Sequence, residues 1–152
     1  MGFLKYTNLQ SHSDQSSVAS TACLQVYSIW LDYKLKELLP YIKSYVKDST
    51  MVIQELKDLT IPKGALIFSA DAVSMYTNIE THLAIESIKN LILTHAKMLP
   101  NNFPTSLILE TLTIVMNNNI FSFADSYWLQ LSVTAMGTPV TCSYATISFG
   151  HH

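Results

Sequence analysis

Arginine is absent from this chain, and charge of any kind is scarce. All nine basic residues are Lys, the formal net charge is −2, and charged residues make up 13% of the chain, against a usual share of about 25%. Without arginine there is no planar fork to grip two phosphate oxygens at once, and without an excess of lysine there is no basic patch. Both absences argue against a strong nucleic-acid surface. Lys34, Lys36, Lys43, Lys47 and Lys57 are instead interleaved with Asp32, Glu37, Asp48 and Glu55, the pattern of solvated helix faces. Cysteine is nearly absent too: Cys23 and Cys142 stand too far apart for metal-ligand spacing, so two free thiols in a reducing compartment are expected. There is no positively charged start leading into an apolar run, so the protein is expected to be intracellular, nuclear or cytoplasmic, and not secreted. Gly2 lacks the Ser or Thr of a myristoylation signal, because Tyr6 stands there. The uncharged stretch from Ser126 is broken by Gln130 and Pro139 and is not expected to cross a membrane. A Gly-rich phosphate loop, a nucleophile elbow and a paired-Cys zinc pattern are all missing.

What the chain does have is apolar residues, 49% of 152, enough for one sizeable core. Residues 1–19 are the exception, Ser-rich and aperiodic around Ser11–Ser17, and are expected to form a disordered leader. From Ser20, Leu24, Tyr27, Leu31, Leu35 and Leu38 recur at near-helical spacing up to Pro40. Asp48 or Ser49 can cap a second helix carrying Met51, Val52, Ile53, Leu56 and Leu59, ended by the turn Ile61-Pro62-Lys63-Gly64. Leu66-Ile67-Phe68-Ser69-Ala70 is a short continuous apolar run after a turn, and predicts a strand buried on both faces. Ala84, Ile85, Ile88, Leu91 and Ile92 predict a helix closing near Pro100, and Pro104 opens another through Met116. Ile120–Phe123 and Tyr127–Leu131 predict a β-hairpin, and Pro139 to Phe149 a last helix.

Two segments carry chemistry. In the first, Phe68-Ser69-Ala70-Asp71-Ala72-Val73-Ser74-Met75-Tyr76, an apolar run ends on a carboxylate and an aromatic follows five positions later. A strand-terminal Asp by itself is more often a turn or cap residue, and Tyr76 by itself more often a core aromatic. In the second, Thr134-Ala135-Met136-Gly137-Thr138-Pro139 runs into Cys142-Ser143-Tyr144-Ala145-Thr146-Ile147. A residue without Cβ at Gly137 lets backbone approach a base or sugar closely.

Taken together and in this order, the two segments resemble motifs A and B in the palm of reverse transcriptases, in particular those of Penelope-like and related retroelements, from Ser28 onward. The resemblance implies that Asp71 is a catalytic carboxylate holding Mg²⁺, and that Ala72, Val73 and Ser74 offer backbone N–H groups to a triphosphate. It implies that Tyr76 packs under the incoming sugar and excludes a 2′-hydroxyl, and that Gly137, Thr138 and Pro139 line the template and nucleotide pocket. The partners it implies are an RNA template, a DNA primer and a dNTP. Two departures matter: Thr21–Val26 lacks the basic residues that grip the triphosphate in that family, and His152 is reached before any Tyr-x-Asp-Asp turn. One carboxylate does not hold two divalent ions, and Glu80 and Asp125 are expected to be helix-start and turn residues rather than replacements.

The expectation is therefore an α+β fold: a partial, truncated fingers and palm domain over residues 20–152, with helices packed on a short buried strand and a hairpin. Its expected function is that of a retroelement-derived RNA-directed DNA polymerase fragment, inactive alone. The alternatives are a non-catalytic helical interaction module and a weak single-stranded RNA-binding remnant, the last disfavoured by the missing arginine. Strand Leu66–Ala70, deprived of a neighbour, is expected to seek a partner chain or to aggregate.

Overall fold

The first helix, α1, spans Asp14–Lys36. An acidic residue at its first position and Lys34 and Lys36 in its last turn both suit the helix dipole. Pro40 cannot continue it, and the chain turns through a short 3₁₀ segment at Leu39–Tyr41. This computed structural model describes residues 3–5, 14–66, 68–123, 126–130, 134 and 137–150. Helix α2 covers Ser49–Lys57, capped as expected by Asp48, whose carboxylate accepts from Met51 N at 3.0 Å. Helices α3 (Thr81–Thr94), α4 (Thr105–Asn117) and α5 (Thr141–Gly150) follow.

Helices dominate, and α5 lies at their centre, packed on α1 and α3, while α4 closes against the same two helices. Leu31, Leu35 and Leu38 from the α1 region, Ile88 and Leu91 from α3, Ile108 and Leu112 from α4, and Tyr144 and Ile147 from α5 are buried together. Polar groups fix the seating. Val140 N donates to Ser28 Oγ at 3.1 Å, and Ser143 Oγ donates to Asp32 Oδ1 at 2.6 Å. The other Asp32 oxygen takes Lys36 Nζ at 2.7 Å, one turn along α1. Among the described residues, no helix is long and apolar enough to cross a membrane.

A small antiparallel sheet stands beside the helices, in the order β1-β3-β2, with β1 at Phe3–Lys5, β2 at Ile120–Phe123 and β3 at Ser126–Gln130. The hairpin is the expected one, Phe121 standing opposite Trp128; its turn residues Ala124 and Asp125 lie outside the described residues. Within the stretch expected to be a leader, Phe3–Lys5 pair with β3, far away in sequence, and α1 begins at Asp14. One expectation needs correction. The buried strand Leu66–Ala70 does not form: Leu66 is 92% and Phe68 88% exposed, and neither they nor Ser69 and Ala70 belong to a strand. A strand buried on both faces needs strands on its flanks, and the three described strands pair only with one another. Ile67 lies outside the described residues. The described residues thus form no strand at the place where a palm would need one.

Helix α2 also buries nothing. Its cap and amphipathic pattern are sound, yet Met51, Val52, Ile53 and Leu56 all face solvent. Stability is therefore concentrated elsewhere, and truncation should separate the two regions. Leu112→Ala, at a fully buried position, is expected to lower the unfolding free energy by about 2–5 kcal/mol. Ile53→Ala on α2 is expected to change it by no more than about 0.5 kcal/mol. Urea denaturation of both variants beside the parent chain checks this.

Candidate functional site

The first of the two segments turns sharply after Asp71. Ser74 takes a left-handed backbone conformation at φ 54°, the one non-glycine residue with positive φ among those described. Such a conformation is uncommon for a side-chain-bearing residue and often marks functional turns. It opens a short 3₁₀ segment, Met75–Asn78, closed by bonds to Ser74 O from Thr77 N at 3.1 Å and Thr77 Oγ1 at 2.9 Å. Asn78 Nδ2 reaches back to Val73 O at 3.4 Å. Ala72 and Val73 are exposed, and no backbone bond to a described residue occupies their N–H groups.

This turn meets the second segment directly. Thr134 N donates to Tyr76 O at 3.1 Å, and the Tyr76 hydroxyl lies 3.8 Å from Cys142 Sγ near the start of α5. Two residues further along α5, Tyr144 is fully buried and its hydroxyl donates to Thr81 O at 3.3 Å, tying α5 to the first residue of α3. Two stretches that the sequence alone singled out are thus brought into one seam. Contact with the Cys142 thiol, and then burial, raises the Tyr76 phenol above its ordinary value of 10.0. Burial pushes the Tyr144 phenol up to about 12, the neighbouring side-chain hydroxyls of Thr81 and Thr134 offsetting only part of that. The Thr134 hydroxyl is itself buried, and despite that neighbour it makes no hydrogen bond of acceptable geometry.

Gly137, Thr138 and Pro139 face a different hollow. Gly137 takes φ +105°, a conformation that side chains rarely adopt, and nothing stands within 4 Å of where its Cβ would be. With Thr138 and Pro139 it lines a cavity of about 90 Å³ shared with Leu24, Gln25, Ser28 and Asn118. A second cavity, of about 140 Å³, lies between Glu80, Leu83 and Phe149. Asp71 lines neither of these two cavities. It is exposed, and no ion pair holds it among the described residues.

The donor set does not fit a two-ion centre. Among the described residues, no three His, Cys, Asp or Glu side chains gather to hold an ion, and a lone exposed carboxylate cannot balance two divalent charges. Glu80 turns outward, 3.7 Å from His82, and Asp125 lies outside the described residues. Cys142 and Thr134 are the seam residues that sequence reasoning passed over. Both sit inside the second segment, but a single thiol without metal spacing and a threonine among small residues give no signal that either meets Tyr76. Both cysteines are free, as expected.

The raised phenol of Tyr144 makes a pH prediction. The folded chain keeps a proton that the unfolded chain releases, so the stabilisation is complete below the ordinary value of 10.0 and is lost as pH rises toward about 12. Urea midpoints are expected to fall across that alkaline window, and to fall less steeply in Tyr144→Phe. Set against known protein families, curated proteins and solved structures, the chain matches none of them.

Proposed function

We propose that this chain is a remnant of an RNA-directed DNA polymerase palm that retains part of a nucleotide site and does not polymerise alone. The observation that carries the reading is the seam. Tyr76 accepts from Thr134 N and touches Cys142, so the segment after Asp71 and the segment before α5 meet in space as well as resembling motifs A and B in order. Three further features support it. No backbone bond to a described residue occupies the N–H groups of Ala72 and Val73, which suits an anion, Ser74 holds a left-handed turn, and Gly137 needs a conformation that only glycine takes easily. In this reading Asp71 would offer its carboxylate to a single Mg²⁺ ion carried in on the phosphates of a dNTP. Tyr76 bounds the sugar, and RNA template and DNA primer belong to the parent activity.

A second reading, a helical interaction module, is favoured by α2, whose capped and amphipathic helix buries no residue of its own chain. The two differ in what they bind. If the first is right, Mg²⁺ with a dNTP should perturb the backbone resonances of Ala72, Val73 and Tyr76 saturably. Asp71→Asn should weaken the effect roughly tenfold, equivalent to about 1.4 kcal/mol. Primed RNA should not be extended. The absence of any saturable shift would overturn the nucleotide reading, and extension abolished by Asp71→Asn would overturn inactivity.

A further inference from the structure

Helix α1 is apolar on two opposite sides. Ser28, Leu31 and Leu35 face the core, yet on the other side Val26 is 65%, Ile29 54% and Tyr33 64% exposed, with Trp30 partly buried beside them. Val26, Ile29, Trp30 and Tyr33 stand at i, i+3, i+4 and i+7, the spacing that gathers side chains into one patch on a helix surface. A helix at a protein surface needs one apolar stripe, so a second stripe calls for a second cover. No charge enters the patch. The charges at this end of the helix are settled among themselves: Lys34 pairs with Glu37 at 2.8 Å, and Lys36 with Asp32 at 2.7 Å. An acidic or basic partner surface would find no unpaired countercharge here, whereas an uncharged apolar face fits.

We propose that this chain dimerises by antiparallel packing of α1 on α1 of a second copy, across Val26, Ile29, Trp30 and Tyr33. Size chooses the partner and the direction. The patch has a small residue at one end and a large one at the other, and a two-fold axis passing between positions 29 and 30 sets Val26 of each copy against Tyr33 of the other. The same axis brings Ile29 to Ile29 on one flank and Trp30 to Trp30 on the other, so the patch is its own complement and ring meets ring near its centre. Parallel packing would crowd Tyr33 on Tyr33 and leave Val26 facing Val26 across a gap. Antiparallel helices also set their dipoles favourably. Isologous contact of this kind closes at two copies. A patch of this size lies at the small end of protein interfaces, so the dimer is expected to dissociate at on the order of tens of micromolar.

Sedimentation velocity of the whole chain, from about 5 to about 500 µM, tests the pairing. The parent chain is expected to pass from monomer to dimer across that range. Ile29→Glu is expected to remain monomeric with an unchanged circular dichroism spectrum, because it sets two carboxylates face to face beside the axis. Disulfide trapping reads the direction. With the exposed thiols removed as Cys23→Ser and Cys142→Ser, Val26→Cys mixed with Tyr33→Cys should give a crosslinked dimer, whereas either alone should not. Alone, each thiol stands about seven residues, or roughly 10 Å, along the helix axis from its counterpart, farther than a disulfide spans. A parent chain monomeric throughout the range would overturn the proposal, as would an Ile29→Glu variant that associates like the parent. Crosslinking of either single variant with itself as readily as of the mixture would show that α1 does not pack in this register, and would equally overturn it.

Discussion

The structure depends on burying a helix that is rich in hydroxyl groups. Helix α5 places Thr141, Ser143, Tyr144, Ala145, Ile147 and Ser148 out of solvent together, and an unpaired hydroxyl in such a place costs stability. Each partner is supplied at a particular point: Asp32 accepts from Ser143, Tyr144 O from Ser148, and Thr81 O from Tyr144. These bonds, with Val140 N on Ser28, set where α1 and α3 must stand around α5. The apolar core then fills the space that this polar register leaves.

Much of this architecture was legible in the residues. The apolar spacing of α1, α3 and α4, the Asp48 cap, the turn chemistry between β2 and β3 and the proline before α5 all describe local constraints, and local constraints decide helices and tight turns. The strand at Leu66–Ala70 was misread because a continuous apolar run records only a preference for burial, and burial requires a neighbour that the run cannot specify. The same limit applies to α2, whose pattern is amphipathic although none of its residues is buried. In the opposite sense, β1 was overlooked because its partner lies on β3.

The candidate site divides in the same way. Tyr76 and the run from Thr134 were marked by their spacing, and they do meet. Their point of contact, a phenol against the Cys142 thiol, could not have been read from two residues far apart in a list. Asp71 lies on the far side of the Ser74 turn, in solvent, and the glycine turn at Gly137 opens into another hollow. The seam thus belongs to the packed part of the molecule, whereas the carboxylate belongs to the exposed arm between α2 and the turn.

The bonds that seat α5 also impose an order in time. Ser28 and Val140 are joined across 112 positions, and Asp32 and Ser143 across 111. Contacts so distant form after the chain between them has been gathered, whereas α3 and α4, close in sequence, can meet early. During synthesis α1 emerges first, with Leu31, Leu35 and Leu38 ready for an interior that does not yet exist. Those leucines gain their full cover only once both α4 and α5 have followed, so the nascent chain carries an apolar helix face that is at best half sheltered while the last helix is still being made.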